Sequence, residues 1–237
     1  SVKSIMSEII YITGVSKGLG RAMALLFLEK GHHVVGIGRS HDISHDKFEF
    51  ISCDLADLNQ VKGITFNHHL PAILLNNAGL IGPLNRFLDA SGASSLDVMT
   101  VNTLAVMQLT HAFLANTEQK LTVVTISSGA ATRSIPGWAA YCASKAAVDR
   151  FMETVQLECE EKGWPHRLFS ASPGVIDTPM QEAIRSANPT EFSSLPTFIG
   201  LNENNELQSP EEIAQKVASL IANQSNYPCL LHLRDVV

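Results

Sequence analysis

The sequence predicts a doubly wound α/β fold, with seven parallel strands in one sheet and helices on both faces. Three observations carry this. Short apolar runs alternate along the chain with longer segments of helical periodicity. The first run ends in a glycine-rich turn that opens directly into a helix. No repeat, linker or change of composition divides the 237 residues, so one domain is expected across 1–237.

Ile9–Ile12 reads as a buried strand, followed by a helix over Leu19–Lys30 that Gly31 is placed to stop. Val34–Ile37, Phe48–Ser52 and Ala72–Leu75 are the next three strands. A long helix is expected over Ser94–Leu114, then a strand at Leu121–Ile126, a helix at Ala139–Lys162 and a strand at Arg167–Ala171. Gln181–Ser186 and Thr190–Leu195 read as short helices in a polar region. Pro210–Ala222 carries Pro in its first turn, then Glu211-Glu212, where a helix N-terminus favours negative charge. Leu230–Leu233 is the last strand.

Hydrophobic residues make up 45% of the chain and charged residues 17%, enough for a sizeable core and too apolar for a disordered protein. The formal charge is −6 with no long basic run, which argues against nucleic acid as a partner. Apolar stretches such as Ala22–Leu28 are too short to span a bilayer, so no membrane role is expected. No secretory leader is visible, and Ser1–Ile5 reads either as vector-derived residues or as an extension ahead of Met6. Cys53, Cys142, Cys159 and Cys229 form no CxxC pair, which points to reduced thiols and a cytoplasmic protein. His41-Asp42 and His45-Asp46 read as a solvated loop rather than metal ligands, and His32-His33 and His68-His69 as surface pairs, so no metal is expected.

The turn Thr13-Gly14-Val15-Ser16-Lys17-Gly18-Leu19-Gly20 reads as a phosphate site of Rossmann type. Glycine lets the backbone turn tightly and approach a pyrophosphate, and the helix N-terminus offers free N–H donors. The spacing is GxxxGxG, and a plain tight turn would need one glycine rather than three. An NAD site carries an acid at the end of the second strand to bond the ribose 2′-hydroxyl. Here that end is Gly36-Ile37-Gly38-Arg39-Ser40. Arg39 offers a fork for a 2′-phosphate, and Lys17 adds charge, so NADP(H) is expected.

Tyr141 and Lys145 are spaced i, i+4 and share a helix face, and Ser128 follows the end of the fifth strand. A free tyrosine ionises near 10. A nearby lysine ammonium, together with the positive nicotinamide of the cofactor, favours the phenolate, so the expectation is a lowered value at Tyr141.

With these residues the sequence resembles the short-chain dehydrogenase/reductase family over about Ile9 to Leu233. The motifs are Thr13–Gly20, Asp54-Leu55, Asn76-Asn77-Ala78-Gly79, Asn102, Ser127-Ser128, Tyr141-Cys142-Ala143-Ser144-Lys145 and Pro173-Gly174-Val175-Ile176-Asp177-Thr178. The resemblance implies that Tyr141 gives the proton to a carbonyl oxygen that Ser128 hydrogen-bonds. It implies that Lys145 bonds the nicotinamide ribose and that Asn102 holds a relay water. Asp54 would contact the adenine, Asn77, Ala78 and Gly79 would flank the adenosine ribose, and Ile176 and Thr178 would grip the carboxamide. The catalytic half looks like the sepiapterin reductase and benzil reductase branch, which reduces aromatic or α-dicarbonyl ketones. Asp235 stands near the place of that branch's pterin anchor, or is a solvated tail residue.

Trp138 borders the expected ketone site, and Met180, Ile184, Phe192 and Phe198 fall in a segment, about 179–205, that the resemblance implies would close over substrate. The leading expectation is an NADPH-dependent carbonyl reductase acting on a small molecule, and the resemblance implies a homodimer or homotetramer paired through the two long helices. A 3-oxoacyl-carrier-protein reductase would want a basic patch, and the lid has only Arg185. A non-catalytic NADP(H)-binding regulator often loses the tyrosine or lysine, and this chain keeps both.

Overall fold

A computed structural model describes residues 7–67, 69–89, 92–115 and 118–237. Ser1–Ile5, Met6 and His68 lie outside the described residues. Seven strands form one parallel sheet in the order β3-β2-β1-β4-β5-β6-β7. They are β1 (Ile9–Thr13), β2 (His33–Gly38), β3 (Phe48–Ser52), β4 (Ala72–Asn76), β5 (Thr122–Ile126), β6 (Arg167–Ser172) and β7 (Leu230–His232). The chain order reverses between β1 and β4, and an open α/β sheet places its crevice beyond the strand ends at such a point.

The side chains of each strand alternate between two apolar layers. Ile10, Ile12, Leu75 and Val124 join one layer with Met23 and Phe27 of α1 (Gly18–Glu29) and Val217 and Leu220 of α8 (Pro210–Ala222). Tyr11, Leu74 and Val123 join the other, with Leu109 and Phe113 of α4 (Ala105–Leu114) and Val148 and Met152 of α5 (Ala139–Lys162). Every residue of β4 and β5 is buried, as continuous apolar strands covered on both faces require. Each fully buried Val, Leu or Ile side chain among them contributes roughly 1.5–3 kcal/mol.

The helix ends follow local chemistry. Gly31 (φ +88°) and Gly163 (φ +68°) turn the chain in the left-handed region after α1 and α5. In α8, Ser209 Oγ accepts from Glu212 N at 3.1 Å while Glu212 Oε2 accepts from Ser209 N at 2.9 Å, a reciprocal cap.

Several expectations are corrected. The helix expected over Ser94–Leu114 is interrupted: α3 (Gly92–Met99) passes through a π-helical turn, Thr100–Leu104, into α4. A short helix, α2 (Leu58–Lys62), was not expected and is capped by Asp57. In the lid segment α6 is Pro179–Arg185, and the next helix is α7 (Leu195–Glu203) rather than Thr190–Leu195. His32 is not a surface residue: it is buried, its ring accepts from Glu8 N at 3.3 Å, and burial pushes its pKa down.

Candidate active site

The strand ends and the glycine turn open onto one cavity of about 950 Å³. It runs from Arg39 and Ser40 past Gly14, Ser16, Lys17, Gly18 and Leu19 to Ser128, Tyr141 and Lys145. Asp54, Leu55, Asn77, Ala78 and Gly79 line it on one side, and Pro173, Gly174, Ile176 and Thr178 on the other.

The turn itself depends on two left-handed glycines, Gly14 (φ +74°) and Gly18 (φ +56°). Gly20 serves packing: a Cβ there would stand 2.0 Å from Gly14 O and 2.5 Å from Asn77 Nδ2. Thr13 is 2% exposed and does not line the cavity. Its Oγ1 accepts from Asn77 N at 2.9 Å and Ala78 N at 3.0 Å, and Asn77 Nδ2 donates back to Thr13 O and Gly14 O. Thr13 and Gly20 therefore shape the turn from behind, by fastening the β4 end to the glycine loop.

At the Arg39 end the lining cations are Arg39 and Lys17, both exposed, and the nearest lining acid is Asp54. One oxygen of Asp54 accepts from Ala56 N at 3.0 Å. Asp42 pairs with Arg21 at 2.9 Å and lies outside the lining. Glycines that a Cβ would clash against, a helix N-terminus open to the cavity and paired cations together fit a phosphorylated dinucleotide.

At the other end Tyr141 is 8% exposed and Lys145 5%. Helical spacing brings Lys145 Nζ 5.8 Å from the centre of the Tyr141 ring. Lys145 Nζ donates to Ile126 O at 2.9 Å, tying α5 to the end of β5. Ser128 caps a 3₁₀ turn, accepting from Ala130 N at 3.1 Å, and hydrogen-bonds Tyr141. The expected lowering at Tyr141 is not what the protein itself produces. Burial pushes the phenol up and outweighs the Ser128 hydrogen bond. Burial also lowers Lys145 to about 8. The pair thus holds a neutral phenol beside a lysine that titrates within reach of neutrality, a state suited to giving up a proton on demand.

Asn102 is buried in the π-helical turn and lies outside the cavity lining. Its side chain is committed: Oδ1 accepts from Leu80 N at 2.7 Å, and Nδ2 donates to Leu80 O at 2.8 Å and Ser144 Oγ at 3.0 Å. A Cβ on Gly79 would meet Asn102 Oδ1 at 3.5 Å and Lys145 Nζ at 3.6 Å, so both converge on that glycine. π-turns recur at functional sites because they redirect side chains within a helix.

Trp138 lines the cavity, edge-on to Tyr141 at 5.2 Å and stacked on Phe192 at 5.1 Å. Met180, Ile184 and Phe198 line it too, whereas Phe192 is fully buried behind Trp138. Asp235 pairs with Arg234 at 3.6 Å and does not line the cavity, so it is not placed as an anchor. Sequence reasoning missed Leu80, Asp97, Arg133, Gln181 and Arg234 in the lining. Leu80 could have been found as the continuation of Asn77–Gly79. Gln181 directly follows Met180 and could have been found with it, whereas Asp97, Arg133 and Arg234 arrive from other segments and carry no local signal.

The short chain dehydrogenase family model matches residues 8–189, and the chain belongs to that family of oxidoreductases. It is 39% identical to benzil reductase ((S)-benzoin forming) of Bacillus subtilis, over 90% of this chain and 93% of that one. It is 28% identical to an NADPH-dependent pterin aldehyde reductase of Arabidopsis thaliana, over 92% of this chain and 89% of the other. A crystal structure of a short chain dehydrogenase/reductase from Saccharomyces cerevisiae superposes with a TM-score of 0.84 and 26% identity, each chain covered to 97%.

Proposed function

We propose that the chain is an NADPH-dependent carbonyl reductase that turns an aromatic or α-dicarbonyl ketone into an alcohol. The observation that carries the reading is the continuity of one cavity from Arg39 and Lys17 to Ser128, Tyr141 and Lys145. NADPH, when bound, supplies the hydride. In this reading Arg39, Ser40 and Lys17 hold the 2′-phosphate, and the α1 N-terminus with Gly14–Gly18 holds the pyrophosphate. Asp54 and Leu55 face the adenine. Asn77, Ala78 and Gly79 flank its ribose, and Pro173, Gly174, Ile176 and Thr178 enclose the nicotinamide end. Ser128 orients the ketone oxygen, Tyr141 gives it a proton, and Lys145 stabilises the phenolate left behind. Asn102 fixes the Leu80 and Ser144 supports of that end. The name of the Bacillus relative supports a diaryl diketone as first substrate to try.

Arg39→Glu should reverse the coenzyme preference. Losing a charge-assisted contact costs roughly 1.5–3 kcal/mol, about a 10- to 100-fold drop in kcat/KM with NADPH, while NADH gains. Equal loss with both coenzymes would remove Arg39 from the phosphate site. Trp138→Ala should raise KM for aromatic ketones about 2- to 12-fold, since an aromatic face contributes roughly 0.5–1.5 kcal/mol beyond its area. An unchanged KM across a ketone panel would count against Trp138 as a substrate wall.

The same reading treats 1–237 as one domain with 179–205 as the substrate lid, where Met180 and Phe198 reach the cavity. Leu96, Leu104, Met107 and Leu157 leave apolar side chains exposed on α3, the π turn, α4 and α5, which supports assembly through these helices as a homodimer or homotetramer. Among the described residues no helix is long and apolar enough to cross a membrane.

A further inference from the structure

We propose that Asp149 is a positioning residue of the reactive site: its carboxylate braces the Ile126–Ser128 segment through Ser127 and Ser170 and supplies the counter-charge that holds Lys145 as an ammonium. Asp149 stands one helical turn beyond Lys145 and two beyond Tyr141, so all three share a face of α5. A single oxygen, Oδ1, accepts from Ser127 Oγ at 2.5 Å and from Ser170 Oγ at 2.7 Å. Ser127 lies between Ile126, whose carbonyl accepts from Lys145, and Ser128, which bonds Tyr141. Its own N–H donates to Ala171 O at 2.9 Å in the β5–β6 ladder. One carboxylate therefore joins α5, the end of β5 and β6 at the point where the three reactive side chains are mounted.

The charge argument is separate from the bracing. Burial works against the Lys145 ammonium, and Asp149 is the group that opposes it. The elements packed against α5 bring few other ionisable groups. The π turn and the 3₁₀ turn Gly129–Ala131 carry none. On α3 the ionisable residue is Asp97, which lines the cavity, and on α4 it is His111. On β6 it is Arg167, which lies over the Phe169 ring and acts on Cys229. Cys229 also feels Asp149, but burial pushes that thiol up to about 12, so it stays neutral. Tyr141 is likewise held neutral by burial.

The consequence for turnover rests on the function proposed above, whereas the titration of Lys145 does not. The test is an NMR titration of the protein carrying isotope-labelled lysine, with the Lys145 signal assigned from its loss in Lys145→Met. The wild-type midpoint should lie near 8. In Asp149→Asn, which keeps an oxygen for both serines, it should fall by about one pH unit or more. Asp149→Ser carries the same expectation should the first variant not fold. With a ketone substrate, the alkaline limb of the reduction profile should move down by the same amount. A purely structural role would scale the rate evenly at every pH. A folded variant whose Lys145 midpoint and alkaline limb match the wild type would overturn the proposal. A shifted midpoint in a protein that turns over no ketone would support the counter-charge and count against the proposed function instead.

Discussion

Tyr141→Phe should cut ketone turnover by about 10²–10⁴-fold, the range a positioned general acid contributes. The change removes the one proton the ring can give and leaves its volume in place. NADPH affinity should therefore stay at the wild-type value, because Tyr141 sits at the reactive end, apart from Arg39 and the glycine turn. Stability should drop only by about 1 kcal/mol, for the lost hydrogen bond with Ser128. Fluorescence titration of bound NADPH, a ketone assay and a melting curve separate the three effects. Turnover that survives with normal cofactor binding would remove Tyr141 as the acid. The raised phenol bears on the same point. A tyrosine that burial keeps protonated would, in the proposed reduction, be ready to donate to the ketone oxygen.

Gly20→Ala should be the most damaging single-methyl change near the cofactor. The added Cβ would meet the Gly14 carbonyl at 2.0 Å, and that oxygen belongs to backbone that also accepts from Asn77. Relief requires the turn or the β4 end to move. Overpacking of this kind costs about 1–3 kcal/mol, which for a chain of this size lowers Tm by about 2–4 °C for each kcal/mol. NADPH affinity should fall more than about 10-fold, because the displaced Gly14 and Asn77 line the cavity where the proposed phosphate site lies. Gly31→Ala is the matched control. Gly31 also has positive φ, but a Cβ there meets nothing within 4 Å, and it lies far from the cavity lining. It should lose stability through backbone strain alone and keep its cofactor affinity. Equal affinity loss in both variants would show that global destabilisation, not the cradle, governs binding.

Much of this architecture was legible because its causes are local. Most strands centre on short apolar runs, such as Ile73–Leu75 in β4 and Val123-Val124 in β5, which are buried throughout. Tyr141 and Lys145 were legible because helical spacing leaves an i, i+4 trace, and the glycine turn because its steric demand excludes other residues. The π turn left no such trace. One inserted residue in a helical ladder shifts the register of Asn102 without changing which residues are apolar. The helix misplaced at Thr190–Leu195 fails for a different reason. Phe192 is anchored beneath Trp138, so tertiary packing holds Thr190–Ser194 in turns, and the helix starts where Pro196 fits its first positions. His32 looked like half of a surface pair, yet contact with Phe27 and Glu8 draws it inside. The lowered tyrosine was expected from the charges of Lys145 and the cofactor, whereas the protein's own groups raise it, because the cost of burial is a property of the folded surroundings. The Ser127–Asp149–Ser170 cluster was equally invisible, since its members come from a loop, a helix and a strand that only the sheet order brings together.

The most direct measurement of the proposed reduction uses NADPH carrying deuterium at its transferable position, mixed with an aromatic α-dicarbonyl and the enzyme. The expected result is one deuterium on the carbinol carbon for each NADPH consumed, with NADH far less effective. Tight binding of NADPH without label transfer to any dicarbonyl, pterin or β-ketoacyl substrate would contradict the reductase and favour an NADP(H)-binding regulator.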